Sequence, residues 1–199
     1  MINKTNWDKF EFEGAKAMNG TIGATITTTQ TGKDGGPAAR ITSNAHGLTA
    51  TYTKAPLIFL QGLADVSSGD LYNGLRRVWA VATNTFDILL KTPFVALTPA
   101  GTELWFVGAS YNEPWELLGF DLHLNAASAT SENLVVAKDA NAGAAFDAKL
   151  YSKDMNTVQD IVYRFDPAVQ MLGNDAAKVT WANTNTKVWG MTLFARRRN

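Results

Sequence analysis

Side chains that could perform acid–base or metal chemistry are sparse in this chain of 199 residues. It contains two histidines, His46 and His123, and no cysteine. A zinc site would need further Asp or Glu ligands at a defined geometry, and neither histidine has such partners at a recognisable spacing. We therefore predict that His46 supports a turn beside Gly47, and that His123 lies on the polar face of a strand. Without cysteine the chain has no disulfides, thiolate zinc sites or cysteine nucleophiles.

The motifs of nucleophilic and general acid–base catalysis are missing too. There is no Gly-x-Ser-x-Gly elbow of the kind that hydrolases use. Asp160 and Asp166 are candidates for an acid/base pair in glycoside cleavage. Asp166 precedes Pro167, however, and is better explained as a turn former. The stretch from Asp139 begins like a calcium loop, yet Leu150 stands where that pattern requires an acidic residue. The sequence predicts no enzyme, no cofactor and no metal site.

Composition and net charge argue against nucleic acid and membranes as partners of this protein. Apolar residues make up 46% of the chain, and 18 basic residues balance 18 acidic ones. A chain with zero net charge has no general attraction to nucleic acid or to an anionic membrane. The first residues lack the apolar run of a signal peptide, and the longest apolar stretches are too short to span a bilayer. We expect a globular protein that is made in the cytoplasm and has neither nucleic acid nor membrane as a partner.

Short segments with two-residue alternation predict an all-β protein, and they divide it into three units. Residues 1–37 are an N-terminal arm with strands, including a threonine-rich stretch at 21–31 that favours extended structure. Residues 38–107 contain five short strands with frequent turns, which predicts a small β-barrel-like module. Residues 108–199 contain six or seven antiparallel strands, which predicts a β-sandwich or jelly roll.

Within the third unit, three details of strand placement are predicted. Leu118, Phe120, Leu122 and Leu124 share one face of a half-buried strand. A later strand begins near residue 158 and ends at residues 166–167. Phe146 continues the alternation of a strand that includes residues 148 and 150.

The end of the chain has the clearest strand pattern. Val179 and Trp181 alternate with polar residues before a turn at residues 183–186, and Trp189, Met191 and Leu193 share one face after it. Such alternation around an Asn/Thr turn is typical of a β-hairpin. We predict a closing hairpin over residues 177–194 whose two tryptophans anchor the core.

The middle unit resembles a small β-module of tailed-phage virion proteins, which is itself similar to a β-barrel subdomain of ubiquitin-activating enzymes. The resemblance is carried, in order, by the segments ITSNAHGL (41–48), LIFLQGL (57–63), LYNG (71–74), VWAV (78–81) and NTFDIL (84–89). The chain departs from the usual form by an insertion after Leu48 and by Tyr72 within the Leu-Asn-Gly element. This resemblance implies architecture and no catalysis.

The last unit carries a second resemblance, which runs through nearly its whole length. It looks like a β-sandwich that is widespread among minor structural proteins of tailed phages. The matching segments are WEL (115–117), LHLNAAS (122–128), ENLVV (132–136), FDAKLYSKDM (146–155), DIVYRFDP (160–167), GND (173–175) and the predicted hairpin. This resemblance implies assembly into a virion.

Together the two resemblances imply a non-enzymatic structural protein of a tailed-phage virion, a capsid decoration or cement protein or a head–tail component. Its expected partners are major capsid or neck and tail proteins and further copies of itself, and trimers are common among capsid-decorating proteins of this kind. The candidate assembly contacts are the aromatic residues of the arm and the basic terminus: Trp7, Phe10, Phe12, Arg196, Arg197 and Arg198.

Two alternatives stay open at this point. The arm could instead be an edge strand of the chain's own sandwich, and the three arginines could be a solvated tail. The protein could also be a host-receptor or glycan-binding module, in which aromatic residues stack on sugars.

Overall fold

A computed structural model describes residues 7–23, 26–29, 38–44, 46–48, 57–63, 72–90, 97–99 and 104–198. Within these residues the chain forms β-strands and one short 3-10 turn (Ala144–Phe146), and none of them lies in an α-helix. The all-β class predicted from the sequence is confirmed. The strands are β1 (Asp8–Gly14), β2 (Asn19–Thr21), β3 (Thr27–Thr29), β4 (Ala38–Thr42), β5 (Leu57–Gln61), β6 (Gly74–Ala82), β7 (Thr85–Leu89), β8 (Leu104–Ser110), β9 (Trp115–Leu124), β10 (Asn133–Asp139), β11 (Ala148–Asp154), β12 (Asp160–Met171), β13 (Ala176–Thr180) and β14 (Trp189–Arg197).

The strands form two antiparallel sheets. The smaller has the order β1-β14-β9-β12, and the larger runs β11-β10-β13-β8-β5-β6-β7-β4-β3, with β2 paired to β8. The predicted boundary between residues 107 and 108 falls inside β8, which pairs with β5 on one side and β13 on the other. One sheet therefore runs through both predicted units. The closure of residues 38–107 into a barrel and a jelly-roll order stay predictions.

Two hydrophobic cores lie beneath these sheets. One fills the sandwich between the smaller sheet and β8, β10 and β13, and the other underlies β4 to β7. Residues of the predicted arm enter both, since Phe12 and Met18 belong to the first core and Ile22 and Ile26 to the second. The arm is thus part of the packed body of the chain.

A β-bulge changes which residues of β9 are buried. Between Leu117 and Gly119 the pairing of β9 with β14 skips Leu118, because one extra residue is accommodated on β9. The inward face therefore consists of Trp115 and Leu117 before the bulge and Phe120 and the following alternate residues after it. The prediction that Leu118 shares the buried face was wrong, since a regular two-residue period cannot signal a bulge.

The closing segment is not a hairpin. β13 pairs with β10 and β8 in the larger sheet, whereas β14 pairs with β1 and β9 in the smaller one. The predicted turn exists, with the Thr186 N–H donating to the Asn183 carbonyl at 2.9 Å, but it carries the chain across the sandwich. Trp181 and Trp189 are both buried in the core between the sheets. Alternation reports one buried face per strand and is the same for both arrangements, which is why the hairpin prediction was wrong.

Two further strand limits differ from the predictions. β12 continues past residues 166–167 to Met171, and its pairing with β9 is irregular between Arg164 and Val169. The Asp-Pro pair thus sits within an interruption of the pairing instead of ending the strand. Phe146 lies in the 3-10 turn and is 64% exposed, so the strand begins only at Ala148.

No helical segment in the described part of the chain has the length and apolar character needed to cross a bilayer.

Candidate functional site

The two groups of predicted contact residues, which lie at opposite ends of the sequence, come together in the fold. β1 pairs with β14 along its whole length, so that Asp8 faces Ala195 and Gly14 faces Trp189. The first described residue, Trp7, therefore lies near the terminal arginines. We call the cluster of Asp8, Tyr111, Glu113 and Arg197, together with Trp7, which precedes Asp8 in the chain, the terminal corner.

The charged side chains of the terminal corner contact one another and the Tyr111 ring. The Arg197 guanidinium lies 3.6 Å from an Asp8 oxygen and 3.2 Å from a Glu113 oxygen. It also lies 4.9 Å from the centre of the Tyr111 ring, a cation–π geometry. The Tyr111 hydroxyl donates to Asp8 at 2.5 Å. Burial and the bond to Asp8 raise the pKa of Tyr111, so the hydroxyl remains a donor at neutral pH.

Exposure separates the predicted contact residues into two groups. Trp7 is 51% exposed, and the Arg197 side chain is 58% exposed. Phe12 is buried in the sandwich core, and Phe10 packs edge-on against Tyr111 with ring centres 5.5 Å apart. The two phenylalanines make contacts within the chain, as the edge-strand alternative expects. An assembly role for the arm stays a prediction.

The remaining two arginines form hydrogen bonds with residues at and just before the start of β9. The Arg196 Nε atom donates to Glu116 at 2.8 Å, and the Arg198 backbone N–H donates to the Pro114 carbonyl at 3.0 Å. A hydrogen bond from Gln170, together with Arg196, holds the pKa of Glu116 below its usual value. The basic terminus is therefore ordered as far as Arg198.

A second candidate site, which the sequence did not suggest, lies where the β10–β11 connection approaches β5. Two adjacent cavities of about 330 and 260 Å³ both border Asp139 and Asp147. Phe59 and Gln61 line the larger one, and Lys178 lines the smaller one. We call this pair of cavities the sheet cavity. No spacing in the sequence could have signalled it, because its residues come from four separate strands and the connections between them.

The floor of the sheet cavity is aromatic and its rim is charged. The Phe59 ring stacks on the buried Phe106 ring at a centroid distance of 5.0 Å. Lys178 places its ammonium 4.6 Å from the centre of the Phe106 ring, 3.4 Å from the Gln61 side-chain oxygen and 4.0 Å from Asp139. One aromatic ring beside a carboxylate, an amide and an ammonium can stack on and hydrogen-bond to a small polar ligand.

Asp139 is the residue of the sheet cavity whose pKa is clearly shifted. Its Oδ2 atom is buried and accepts no hydrogen bond. Burial raises the pKa of Asp139, Lys178 opposes this shift, and the nearby Asp147 carboxylate adds to it. The Lys178 ammonium, 4.0 Å from this oxygen, is the charge that compensates the buried carboxylate.

Both histidines have local partners. The His46 Nδ1 atom accepts from the Leu48 N–H at 3.0 Å, its Nε2 atom lies 3.1 Å from the Thr85 carbonyl, and burial lowers its pKa. His46 therefore stabilises the turn, as predicted. His123 is exposed on the polar face of β9, where its Nδ1 atom lies 2.6 Å from Asp160. Among the residues that the structure describes, no three His, Asp or Glu side chains are grouped so that they could hold a metal ion.

No family model, curated protein or solved structure matches the chain.

Proposed function

We propose that the chain is a non-enzymatic structural subunit of a tailed-phage virion, a capsid decoration or cement protein or a head–tail component. It would act in the particle by binding capsid or neck and tail proteins and further copies of itself. The resemblance of residues 38–107 and 108–199 to virion modules supports this role. The observation that carries the proposal is the terminal corner, because it combines an exposed tryptophan, next in the chain to Asp8, with exposed charges that are already ordered, and tryptophan, tyrosine and arginine are the residues enriched in interface hot spots.

The terminal corner provides a direct test of this role. Replacement of Trp7 by alanine is expected to weaken binding to the particle by about 2 kcal/mol or more, about thirtyfold, as for an interface hot spot. The variant would be supplied in trans to a phage lacking the gene, and its content in purified particles measured by quantitative mass spectrometry. Because Trp7 is 51% exposed, the isolated variant should unfold at the same temperature as the wild type.

The matched control for Trp7 is Phe146→Ala. Phe146 is an exposed aromatic residue on the β10–β11 connection, an element that contributes no residue to the terminal corner. Its loss should leave incorporation unchanged. Equal incorporation of the Trp7 variant and the wild type would remove the terminal corner from the proposal. Purified particles without the wild-type chain would refute the virion role itself.

The sheet cavity favours a second function, binding of a host glycan. The supporting observation is the partly exposed Phe59 ring, which lines one cavity together with Gln61 and Asp139. Sugars are bound by stacking on aromatic rings and by hydrogen bonds to carboxylates and amides. The purified full-length chain should therefore bind a subset of glycans on an array.

Two variants localise that binding. Phe59→Ala and Asp139→Asn should each reduce it by about tenfold or more, through loss of the stacking surface and of a charged acceptor. Trp7→Ala, outside the cavity, should leave it unchanged. Absence of binding to every glycan, or binding that both cavity variants retain, would exclude the glycan function for this site.

A further inference from the structure

β12 is the last strand of the smaller sheet. Among the described residues β9 is its one strand neighbour, so within this part of the chain its outer edge is unpaired. An edge strand presents unpaired N–H and C=O groups that can pair with another chain, and proteins usually blunt it with bulges, proline or lysine. On β12 the interrupted pairing and Pro167 lie beyond Arg164. The stretch Asp160–Arg164 is regular and has none of these protections.

The exposed face of this regular stretch has an unusual composition. Asp160, Val162 and Arg164 point outward, while Ile161 and Tyr163 point toward the sandwich core. Val162 is 74% exposed, the largest exposed fraction among the large apolar side chains of the described residues. An apolar side chain thus stands between an acidic and a basic one.

The outward side chains of Asp160, Val162 and Arg164 are complementary to those of a second, antiparallel β12 strand. If two β12 strands pair antiparallel with Val162 opposite Val162 of the second copy, Asp160 of each strand faces Arg164 of the other. The register keeps the inward faces matched as well, since Ile161 then faces Tyr163. Opposite charges and apolar pairs directly across an antiparallel ladder are stabilising.

Neighbouring registers lack this match. A shift of the pairing by one residue would place inward and outward faces on opposite sides. A shift by two residues places Val162 opposite either Asp160 or Arg164, and it removes both charge pairs. The charge pattern therefore specifies one register.

Both charged side chains are already held on the outer face. Asp160 contacts His123 of β9 through Oδ1 at 2.6 Å, so its second carboxylate oxygen can accept a bond from the opposite strand. Arg164 donates to Asp121 through Nη1 at 2.7 Å and through Nη2 at 3.3 Å, and it lies 4.4 Å above the Phe194 ring. In the paired edge Asp160 of the second copy shares this guanidinium with Asp121, so the charge pair chiefly specifies the register.

We propose that two copies of the chain associate through antiparallel pairing of their β12 strands about a two-fold axis at Val162. The two smaller sheets then form one continuous sheet, an isologous contact of the kind that closes a dimer. This pairing is independent of the virion role: it can exist in a protein of any function, and a virion subunit can exist without it.

The first test is Val162→Lys in the full-length chain. Two ammonium groups would then meet at the two-fold axis, and lysine is a residue that blocks edge pairing in natural sheets. Sedimentation equilibrium should show a dimer for the wild type and a dimer dissociation constant raised by about tenfold or more for the variant. The control is Val188→Lys, the same substitution at a valine that is 52% exposed off β12. It should leave the dimer intact, and at concentrations low enough for every chain to be monomeric both variants should unfold at the wild-type temperature.

The second test uses charge reversal. It asks whether two variants that each associate weakly with themselves associate strongly with each other. Asp160→Lys and Arg164→Glu should each self-associate more weakly than the wild type, because like charges then face each other twice. When the two variants are mixed, every charge faces an opposite one, so native mass spectrometry should show a heterodimer in excess of both homodimers.

A wild type that stays monomeric at the highest concentration reached, or that sediments as a trimer, would overturn the proposal. So would a dimer that survives Val162→Lys, or charge variants that show no preference for each other. None of these results bears on particle incorporation, which the Trp7 experiment measures separately.

Discussion

Replacement of Trp189 by alanine is expected to lower the free energy of unfolding by about 3–5 kcal/mol, the range for removal of a large aromatic side chain from a core. Trp189 begins β14 and is 1% exposed. It lies where the chain re-enters the smaller sheet after crossing the sandwich, so its ring fills space between the two sheets. Urea or thermal unfolding followed by tryptophan fluorescence and circular dichroism measures the effect.

The contacts of Trp189 explain why the loss should reach the upper part of that range. Its indole N–H donates to the Lys16 carbonyl at 2.7 Å, and this bond is lost with the side chain, which leaves the Asn183 side-chain amide as the remaining donor to that carbonyl at 3.0 Å. The ring also packs so closely on Gly14 that a Cβ atom there would lie 2.6 Å from it. The side chain thus fastens the segment after β1 to the start of β14.

Trp7→Ala is the matched control for Trp189→Ala. It removes the same side chain from an exposed position, so its effect on the free energy of unfolding should stay within about 0.5 kcal/mol. If both tryptophan variants unfolded alike, the position of Trp189 between the sheets would be incorrect.

Replacement of Asp175 by alanine is expected to destabilise the fold by about 3 kcal/mol, because it leaves a mostly buried ammonium and two backbone N–H groups without their acceptor. Asp175 is 1% exposed. Its carboxylate accepts from the Leu172 N–H at 2.8 Å and from the Asn141 N–H at 3.0 Å, and it lies 2.9 Å from the Lys138 ammonium, whose side chain is 20% exposed. One carboxylate therefore joins the end of β10 to the turn between β12 and β13.

The same carboxylate should make stability depend on pH. Burial opposes ionisation of Asp175, but Lys138 and the two backbone N–H groups outweigh it and hold the pKa below its ordinary value. A carboxyl group with a depressed pKa in the folded state contributes stability that is complete above its unfolded pKa of about 4 and is lost as the pH falls toward the folded pKa. The difference in stability between the wild type and Asp175→Ala should therefore be constant near neutral pH and shrink below about pH 4.

Glu113→Ala provides the comparison for Asp175. It removes an exposed carboxylate whose ion pair with Arg197 lies at the surface, so the free energy of unfolding should change by less than about 1 kcal/mol. A wild type and an Asp175 variant that lose stability in parallel down to pH 3 would contradict the role assigned to this carboxylate.

Much of the fold could be predicted from local sequence patterns. Two-residue alternation located most strands, and turns such as Thr83–Asn84 and Leu172–Asp175 lie where polar and glycine residues cluster. The turn role of His46 also followed from its place beside Gly47. These features depend on contacts between residues that are close in the chain, which is why the sequence indicates them.

The candidate sites were predicted less well. The terminal aromatics and arginines were identified separately, but only the pairing of β1 with β14 brings the strand that follows Trp7 next to the strand that carries Arg197. The sheet cavity was missed, since Phe59 and Asp139 meet through the arrangement of the larger sheet. The spacing of residues in the sequence contains no information on contacts between residues that are distant in the chain.

By itself, the sequence determined that the protein is all-β, that Trp181 and Trp189 are core residues, and that a turn lies between them. Only the tertiary structure decided that Trp181 follows a strand of the larger sheet whereas Trp189 begins a strand of the smaller one. A strand's side-chain period records which face is buried, and this face is the same whether its edge bonds to the preceding strand or to a distant one. The choice of partner depends on packing of the whole chain, and it makes β12 the last strand of the smaller sheet and β1 a neighbour of β14.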